Sequence, residues 1–221
     1  ALTALNEMRQ SLSFRIAQAT LFQQQAASES AQQLAELAEV ILQSVLELAK
    51  AEIHVQHGDI ENAGFAIIGY GSVGAKELGF ASDLDLVFLH NASANMVSNG
   101  NRPLDSQRYF ARLAQKIISL MQTITPAGRL YEVDMRLRPD GAKGLLVSSL
   151  DSFEEYQRER AWTWEHQALV RSRSLAGDAG VRDRFGKIRA ASLQAHRDTA
   201  QIQADVTAMR LRMRNELDRS S

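Results

Sequence analysis

The first 56 residues carry apolar side chains at a helical period. Leu34, Leu37, Ile41, Val45 and Leu48 recur three or four apart, and glycine and proline scarcely interrupt them. A polar break near residues 26–29 predicts two helices, with Ser28 or Ser30 capping the second. His57-Gly58-Asp59 reads as a turn, and after it the pattern changes. Phe65-Ala66-Ile67-Ile68 is a short apolar run bounded by glycines, the signature of a buried strand, and Leu84 to Leu89 is a second. Residues 91–104, rich in Asn and Ser, predict an exposed loop. From Asp105 to Thr123 the stripe Phe110, Leu113, Ile117, Leu120 and Met121 predicts a helix.

Leu130 to Leu137 alternates like a strand, Pro139-Asp140-Gly141 turns the chain, and residues 144–147 predict a partner strand. From Ser149 onward the pattern is helical, with breaks near Gly177-Asp178 and residues 195–199, and a last helix from about Ala200 to Asp218. Strands in the middle and helices at both ends make the class α+β. The organisation expected is a helical segment 1–58, a core 59–148 and a helical segment 149–221. The last segment ends in Arg-rich sequence without an obvious partner, as if it led into a further helical domain.

Composition narrows the function classes. With 221 residues and 45% hydrophobic content, a sizeable core is available. The absence of cysteine excludes a disulfide scaffold and any thiolate metal or redox site, and makes a cytoplasmic home the expectation. No apolar run is long enough to span a bilayer and no signal peptide opens the chain, so no membrane partner is expected. A first residue of Ala1 rather than Met reads as an excised fragment. A net charge of −1 argues against nucleic acid as a partner. The charge is uneven: residues 171–221 hold 11 Lys+Arg against 6 Asp+Glu, and the remainder 14 against 20. That asymmetry fits a solvated helix face, or more sharply a docking surface for an acidic partner or phosphates.

The candidate chemistry starts at Gly69, Gly71 and Gly74, which spell G-x-G-x-x-G after the first apolar run. A dinucleotide fold would follow this turn with a full crossover helix and place its ribose-binding acid about 20 residues on. Here only eight residues, 75–82, separate Gly74 from Asp83, and Gly79 interrupts them. The acids also open the second strand instead of closing it, which excludes the oxidoreductase reading. Asp83 and Asp85, two apart in a strand, share a face. Such a pair resists double ionisation unless a cation lies between them, and Mg²⁺ takes oxygen ligands of this kind. An isolated Asp-x-Asp reads more simply as one turn cap and one solvated acid. The preceding Gly71-Ser72 favours the metal reading, because a close-approaching backbone and a hydroxyl suit a polyphosphate.

A third carboxylate is available in the strand around residue 134. Glu132, Asp134, Arg136 and Arg138 alternate there with Tyr131, Val133, Met135 and Leu137, one face charged and one apolar. Ordinary cross-strand ion pairs are one account. The order acid, acid, base, base suits a metal–phosphate site better, with Asp134 joining the carboxylates and Arg136 and Arg138 facing phosphate. Trp162 and Trp164 read as core or domain-junction anchors. Glu165 and His166, being adjacent on a helix, face apart and do not make a metal pair. Arg171 and Arg173 could reach a phosphate, but fit a solvated helix face better.

Gly71-Ser72, ten residues, then Asp83-Leu84-Asp85 with a later strand carboxylate resembles the nucleotidyltransferase superfamily that includes DNA polymerase β. The strings GYGSVGAKELGFASDLDLVFLH, YEVDMRLRPDGAKGLLVSS and FEEYQRERAWTWEHQALVRSR resemble glutamate–ammonia ligase adenylyltransferases over roughly residues 60–178. The family commonly has Gly-Lys-Leu-Gly where this chain has Gly71-Ser72-Val73-Gly74. The resemblance implies a polymerase-β-like nucleotidyltransferase core, a small mixed sheet with helices, flanked by N- and C-terminal helices. That family carries two similar halves: one attaches AMP from ATP to a tyrosine of glutamine synthetase, the other removes it by phosphorolysis. Gly69-Tyr70-Gly71 and residues 161–170 resemble the C-terminal, adenylylating half. By this resemblance Asp83, Asp85 and Asp134 hold two Mg²⁺ ions. Gly71, Ser72, Arg136 and Arg138 attend the phosphates of ATP. Glutamine synthetase is the partner, with the PII signalling protein acting through the full-length enzyme. The alternatives are the removing half, another nucleotidyltransferase, or a regulatory module without turnover.

Overall fold

Apolar periodicity builds two layers of helix around one sheet. The computed structural model describes residues 1–195, 200 and 203–211. Helix α1 spans Leu2–Leu21 and α2 spans Ala27–His57, the break falling at residues 22–26. Neither expected serine caps α2: Ala26 is the cap residue. Ser30 is buried one turn in, where its hydroxyl meets the Ala26 carbonyl, Thr20 and Gln25 and so ties the two helices together. On α2, Leu34, Ala38, Ile41, Leu42, Val45, Leu46 and Ala49 form the buried stripe.

Strand β1 (Phe65–Gly69) pairs antiparallel with β2 (Leu84–His90), and a tight helical turn, α3 (Gly71–Gly74), follows β1. Helix α4 (Ser106–Gln122) starts where Asp105 accepts a hydrogen bond from the Arg108 N–H, a side-chain cap at the expected boundary. The loop over 91–104 is mostly exposed, with Ala92 and Ser98 tucked in.

The strand expected over residues 130–137 is only two residues long, β3 (Val133–Asp134). Its own acid ends it: Asp134 Oδ1 accepts from the Arg136 N–H at 2.8 Å, an Asx-type turn that bends the chain out of the sheet. Asp140 then takes a left-handed conformation at φ 59°. Residues 144–147 do not return as a hairpin partner. Instead β4 (Val147–Ser149) lies parallel to the far end of β2. β3 is also parallel to β2, at its near end, through Leu84↔Val133 and Asp85↔Asp134.

The segment read as helical from Ser149 holds α5 (Leu150–Glu159), α6 (Thr163–Val170) and α7 (Ala179–Gln194), but also a fifth strand. β5 (Arg173–Gly177) pairs antiparallel with β1, so the sheet draws on chain well past residue 148. Its order is β3-β2-β1-β5, with β4 beside β2: a small mixed sheet in an α+β fold. Residues 203–211 are helical. The expected break at 195–199 and the rest of the last helix fall largely outside the described residues. No described helix is long and apolar enough to cross a membrane.

Strand alternation divides the core into two. Phe65, Ile67, Leu84, Leu86 and Phe88 pack beneath α2 and α4. Ala66, Ile68, Val87 and Leu89 pack with Leu150, Phe153, Val181 and Phe185 of α5 and α7. Asp83 and Asp85 have the parity of Val87 and Leu89. Asp85 stands on that second face near the start of β2, and Asp83 immediately precedes the strand.

Candidate active site

The site is built where β1 turns. Gly69 ends the strand, the Tyr70 N–H donates to the Asp85 carbonyl at 2.9 Å, and the chain enters α3 with Gly71 at φ +56°. A Cβ on Gly71 would overlap Asp85 Oδ2. Glycine is therefore required twice, by the backbone angle and by the carboxylate against it. Gly69 and Gly74 do other work: Cβ atoms there would strike Leu175 of β5 and the Arg171 carbonyl. These two glycines let β5 and its lead-in pack against the turn. Gly71→Ala is expected to cost about 1–2 kcal/mol from the backbone angle alone, before any displacement of Asp85. Urea unfolding checks this, with Gly186→Ala in α7 as comparator. Gly186 has open space at its Cβ, and alanine there should stabilise by about 0.5–1 kcal/mol.

Parallel pairing of β2 with β3 sets Asp85 and Asp134 side by side, and Asp83 lies two residues before Asp85. The sheet thus gathers the three acids at one edge. Asp85 is half-buried and its carboxyl is pushed above the usual range, first by burial and then by Asp83 and Asp134. Asp134 is held below the usual range, chiefly by its hydrogen bonds from Arg136. Arg136 Nε donates to Asp134 Oδ2 at 2.7 Å. As placed, no three His, Asp or Glu side chains among the described residues stand close enough to ligate one ion. Asp134 is turned onto the exposed Arg136 guanidinium, which supplies the positive charge there. The donor set nevertheless suits a hard divalent cation: oxygen ligands only, and one carboxylate whose ionisation its two neighbours oppose. Asp83, Asp85 and Asp134 are the residues that could hold Mg²⁺.

This arrangement carries a stability cost with a definite pH sign. The raised Asp85 carboxyl means the folded chain binds that proton more tightly than the unfolded chain. Its contribution favours the fold at low pH and falls away as pH rises from the ordinary carboxylate value through the raised one. Asp134, depressed, acts oppositely: its contribution is present above the ordinary value and lost as pH falls through the lowered one. Asp85→Asn is therefore expected to stabilise the metal-free chain at neutral pH, by up to about 1 kcal/mol for relief of a like-charge cross-strand pair. Thermal unfolding of wild type and variant checks this, and the difference should vanish toward pH 3.

The remaining expected residues are placed less alike. Ser72 follows Gly71 in the turn, partly exposed. Arg138 does not extend a charged strand face. Its guanidinium donates to the carbonyls of Met135 (2.6 Å) and Ala142 (3.0 Å), bracing the loop after Asp134. Trp162 and Trp164 are not core anchors, being 61% and 40% exposed. They line a cavity shared with Val206, Ala208 and Met209. Glu165 accepts from the Tyr156 hydroxyl at 2.7 Å and from the Trp162 N–H, while buried His166 bonds to the Gln157 carbonyl. These two do not form a metal pair. Arg173, expected on a solvated helix face, instead opens β5 and is 23% exposed, because its strand was read as helix.

Comparison with known proteins decides the family. The glutamate–ammonia ligase adenylyltransferase family model matches residues 1–188. The chain belongs to that adenylyltransferase family. The match takes in every candidate residue above, and Arg173 as well. Curated relatives named bifunctional glutamine synthetase adenylyltransferase/adenylyl-removing enzyme, from Stenotrophomonas maltophilia (strain R551-3) and Xanthomonas axonopodis pv. citri (strain 306), are each 59% identical over 221 residues. Both alignments cover 100% of this chain and 24% of the relative. One of the same name from Nitrosococcus oceani is 51% identical over 193 residues, covering 83% of this chain and 20% of its own length. The chain thus spans about a quarter of the length of the adenylyltransferases it matches.

Proposed function

We propose that the chain transfers AMP from ATP to a tyrosine hydroxyl of glutamine synthetase, as the adenylylating part of a larger cytoplasmic enzyme. One observation carries this reading: β-sheet register sets Asp85 beside Asp134 and seats Gly71 directly on the Asp85 carboxylate. A carboxylate cluster and a close-approaching backbone turn are then two sides of one site.

In the proposed mechanism Asp83 and Asp85 would hold two Mg²⁺ ions, with Asp134 as a further carboxylate ligand. When bound, the metal supplies charge neutralisation for the triphosphate and lowers the cost of forming the tyrosine oxyanion. Gly71 and Ser72 hold the β and γ phosphates. A free tyrosine hydroxyl has a pKa near about 10, so it needs help to lose its proton, and Asp134 accepts it. Arg136 leaves Asp134 for the phosphates, which raises the basicity of Asp134 as the proton arrives. The tyrosine oxygen bonds to the α-phosphorus in line as the bond to the β-phosphate oxygen breaks, and pyrophosphate departs. Arg138 keeps the loop beyond Asp134 in shape from its seat among the backbone carbonyls. Control by the PII signalling protein belongs to the full-length enzyme in this reading.

Titration calorimetry with ATP tests the site itself. Binding that requires Mg²⁺ and disappears in Asp85→Asn supports it. ATP binding indifferent to metal, or none at all, would make the chain a module without turnover.

A further inference from the structure

Arg173 has no part in the mechanism above, yet its guanidinium is tied to the backbone of the turn that carries Gly71. It opens β5, and the register places it opposite Gly69, the last residue of β1. Pairing shifts between Ile67 and Ile68, an irregularity that re-aims the residues just beyond it. From there the guanidinium reaches under the turn. Nε donates to the Gly74 carbonyl at 3.1 Å and one terminal nitrogen to the Val73 carbonyl at 3.0 Å. The other terminal nitrogen pairs with Glu39 of α2. The side chain is 23% exposed and that of Glu39 is 25% exposed, so this is not a solvated face.

The geometry has a purpose only guanidinium serves. The carbonyls of Val73 and Gly74 lie at the end of α3, where no further helical turn follows and Val73 accepts only a long bond from the Lys76 N–H at 3.4 Å. A planar fork can hold both and still face a carboxylate with its third nitrogen, which an ammonium cannot match. Neighbouring contacts close the same region. The Arg171 carbonyl packs against Gly74, and the Arg171 side chain pairs with Glu77 at 2.7 Å. The turn bearing Gly71 and Ser72 is therefore held at its far end by β5 and α2, while Gly71 at its near end sits on Asp85.

We propose that Arg173 is a positioning residue, which fixes the Gly71–Ser72 turn in the form that receives the triphosphate. It acts through the turn's backbone and touches no phosphate itself. This rests on the reading of that turn as the phosphate holder. Losing the fork releases the Val73 and Gly74 carbonyls and lets the turn drift off Asp85, so nucleotide affinity falls while the carboxylates stay in place.

Arg173→Met and Arg173→Lys test this in the chain as it stands. Without nucleotide, amide exchange at Gly74, Ala75 and Glu77, whose N–H groups close the turn, should quicken about tenfold or more in Arg173→Met relative to the β2 amides. The Kd for ATP with Mg²⁺ should rise about tenfold, while Mn²⁺ alone binds as in wild type. Arg173→Lys, with the charge but not the fork, should fall between. A lower Tm with unchanged ATP affinity and unchanged exchange at these amides would reduce Arg173 to a structural role and overturn the proposal. Full rescue by lysine would overturn it too, by making charge alone sufficient. A wild-type chain that takes up no ATP overturns the reading of the site, and the nucleotide half of this assignment with it. That result is recognisable separately, because the exchange comparison is made without nucleotide.

Discussion

Asp85→Asn is expected to slow AMP transfer by about 10²- to 10³-fold, the loss typical of removing one preorganised charge-stabilising group. Asp85 is the acid all the other site features converge on. It pairs with Asp134 across the parallel β2–β3 pair, lies two residues past Asp83, whose charge acts on it, and carries Gly71 against its carboxylate. The amide is the same size, so Gly71 keeps its seat and the sheet its register; what is lost is the anionic oxygen. The same change should make the metal-free chain more stable, because the like-charge pressure that raises the Asp85 carboxyl is gone. Lower activity with higher stability is a combination general misfolding cannot produce. Initial rates of label transfer from α-labelled ATP, set beside thermal unfolding of the same preparations, check both halves. A variant within tenfold of wild type in rate would remove Asp85 from the chemistry.

Phe88→Ala is expected to destabilise the fold by about 3–5 kcal/mol. Phe88 is 1% exposed and sits on β2, which has β1 on one side and both β3 and β4 on the other. Its ring lies 5.6 Å from Phe65, whose ring stacks on Phe110 of α4 at 5.9 Å. Truncation leaves a cavity bounded by a strand and a helix that cannot both close in. Against a total stability of about 5–15 kcal/mol for a domain, this consumes a large share. Urea unfolding should show a much lower midpoint with a similar slope. A loss below about 1 kcal/mol would mean that β2 is not the packed centre of the sheet. The strand that carries Asp85 is thus held itself at Phe88, three residues on.

How far the site could be read from the amino-acid order depended on how local each interaction was. Gly71, Asp83 and Asp85 belong to one strand–turn–strand passage of 21 residues, 65–85. Their spacing alone excluded a crossover helix and pointed to carboxylate chemistry. The strand β1 and the helix α4 were readable for the same reason, since each is decided by neighbours in sequence. Asp134 was found through an alternation that holds for only two residues. The side chain that makes it a candidate ligand also caps the Arg136 N–H and ends the strand, so Arg138 falls among loop carbonyls instead of on a charged face. β5 was unreadable: Arg173-Ser174-Leu175-Ala176-Gly177 has no β-branched residue and only five positions. Its partner, β1, lies more than a hundred residues earlier. Tertiary pairing alone makes it a strand, and with it the Arg173 bridge. The two tryptophans misled because size suggested burial, whereas both lie at the surface beside residues 205–209.

The most direct test of the account is transfer itself. Unmodified glutamine synthetase is incubated with this chain, α-labelled ATP and Mg²⁺, and the label on the synthetase is measured over time. The account predicts Mg²⁺-dependent labelling of a tyrosine by the wild-type chain and almost none by Asp85→Asn. It would be contradicted if unmodified synthetase stayed unlabelled while the same chain, given phosphate, released ADP from adenylylated synthetase.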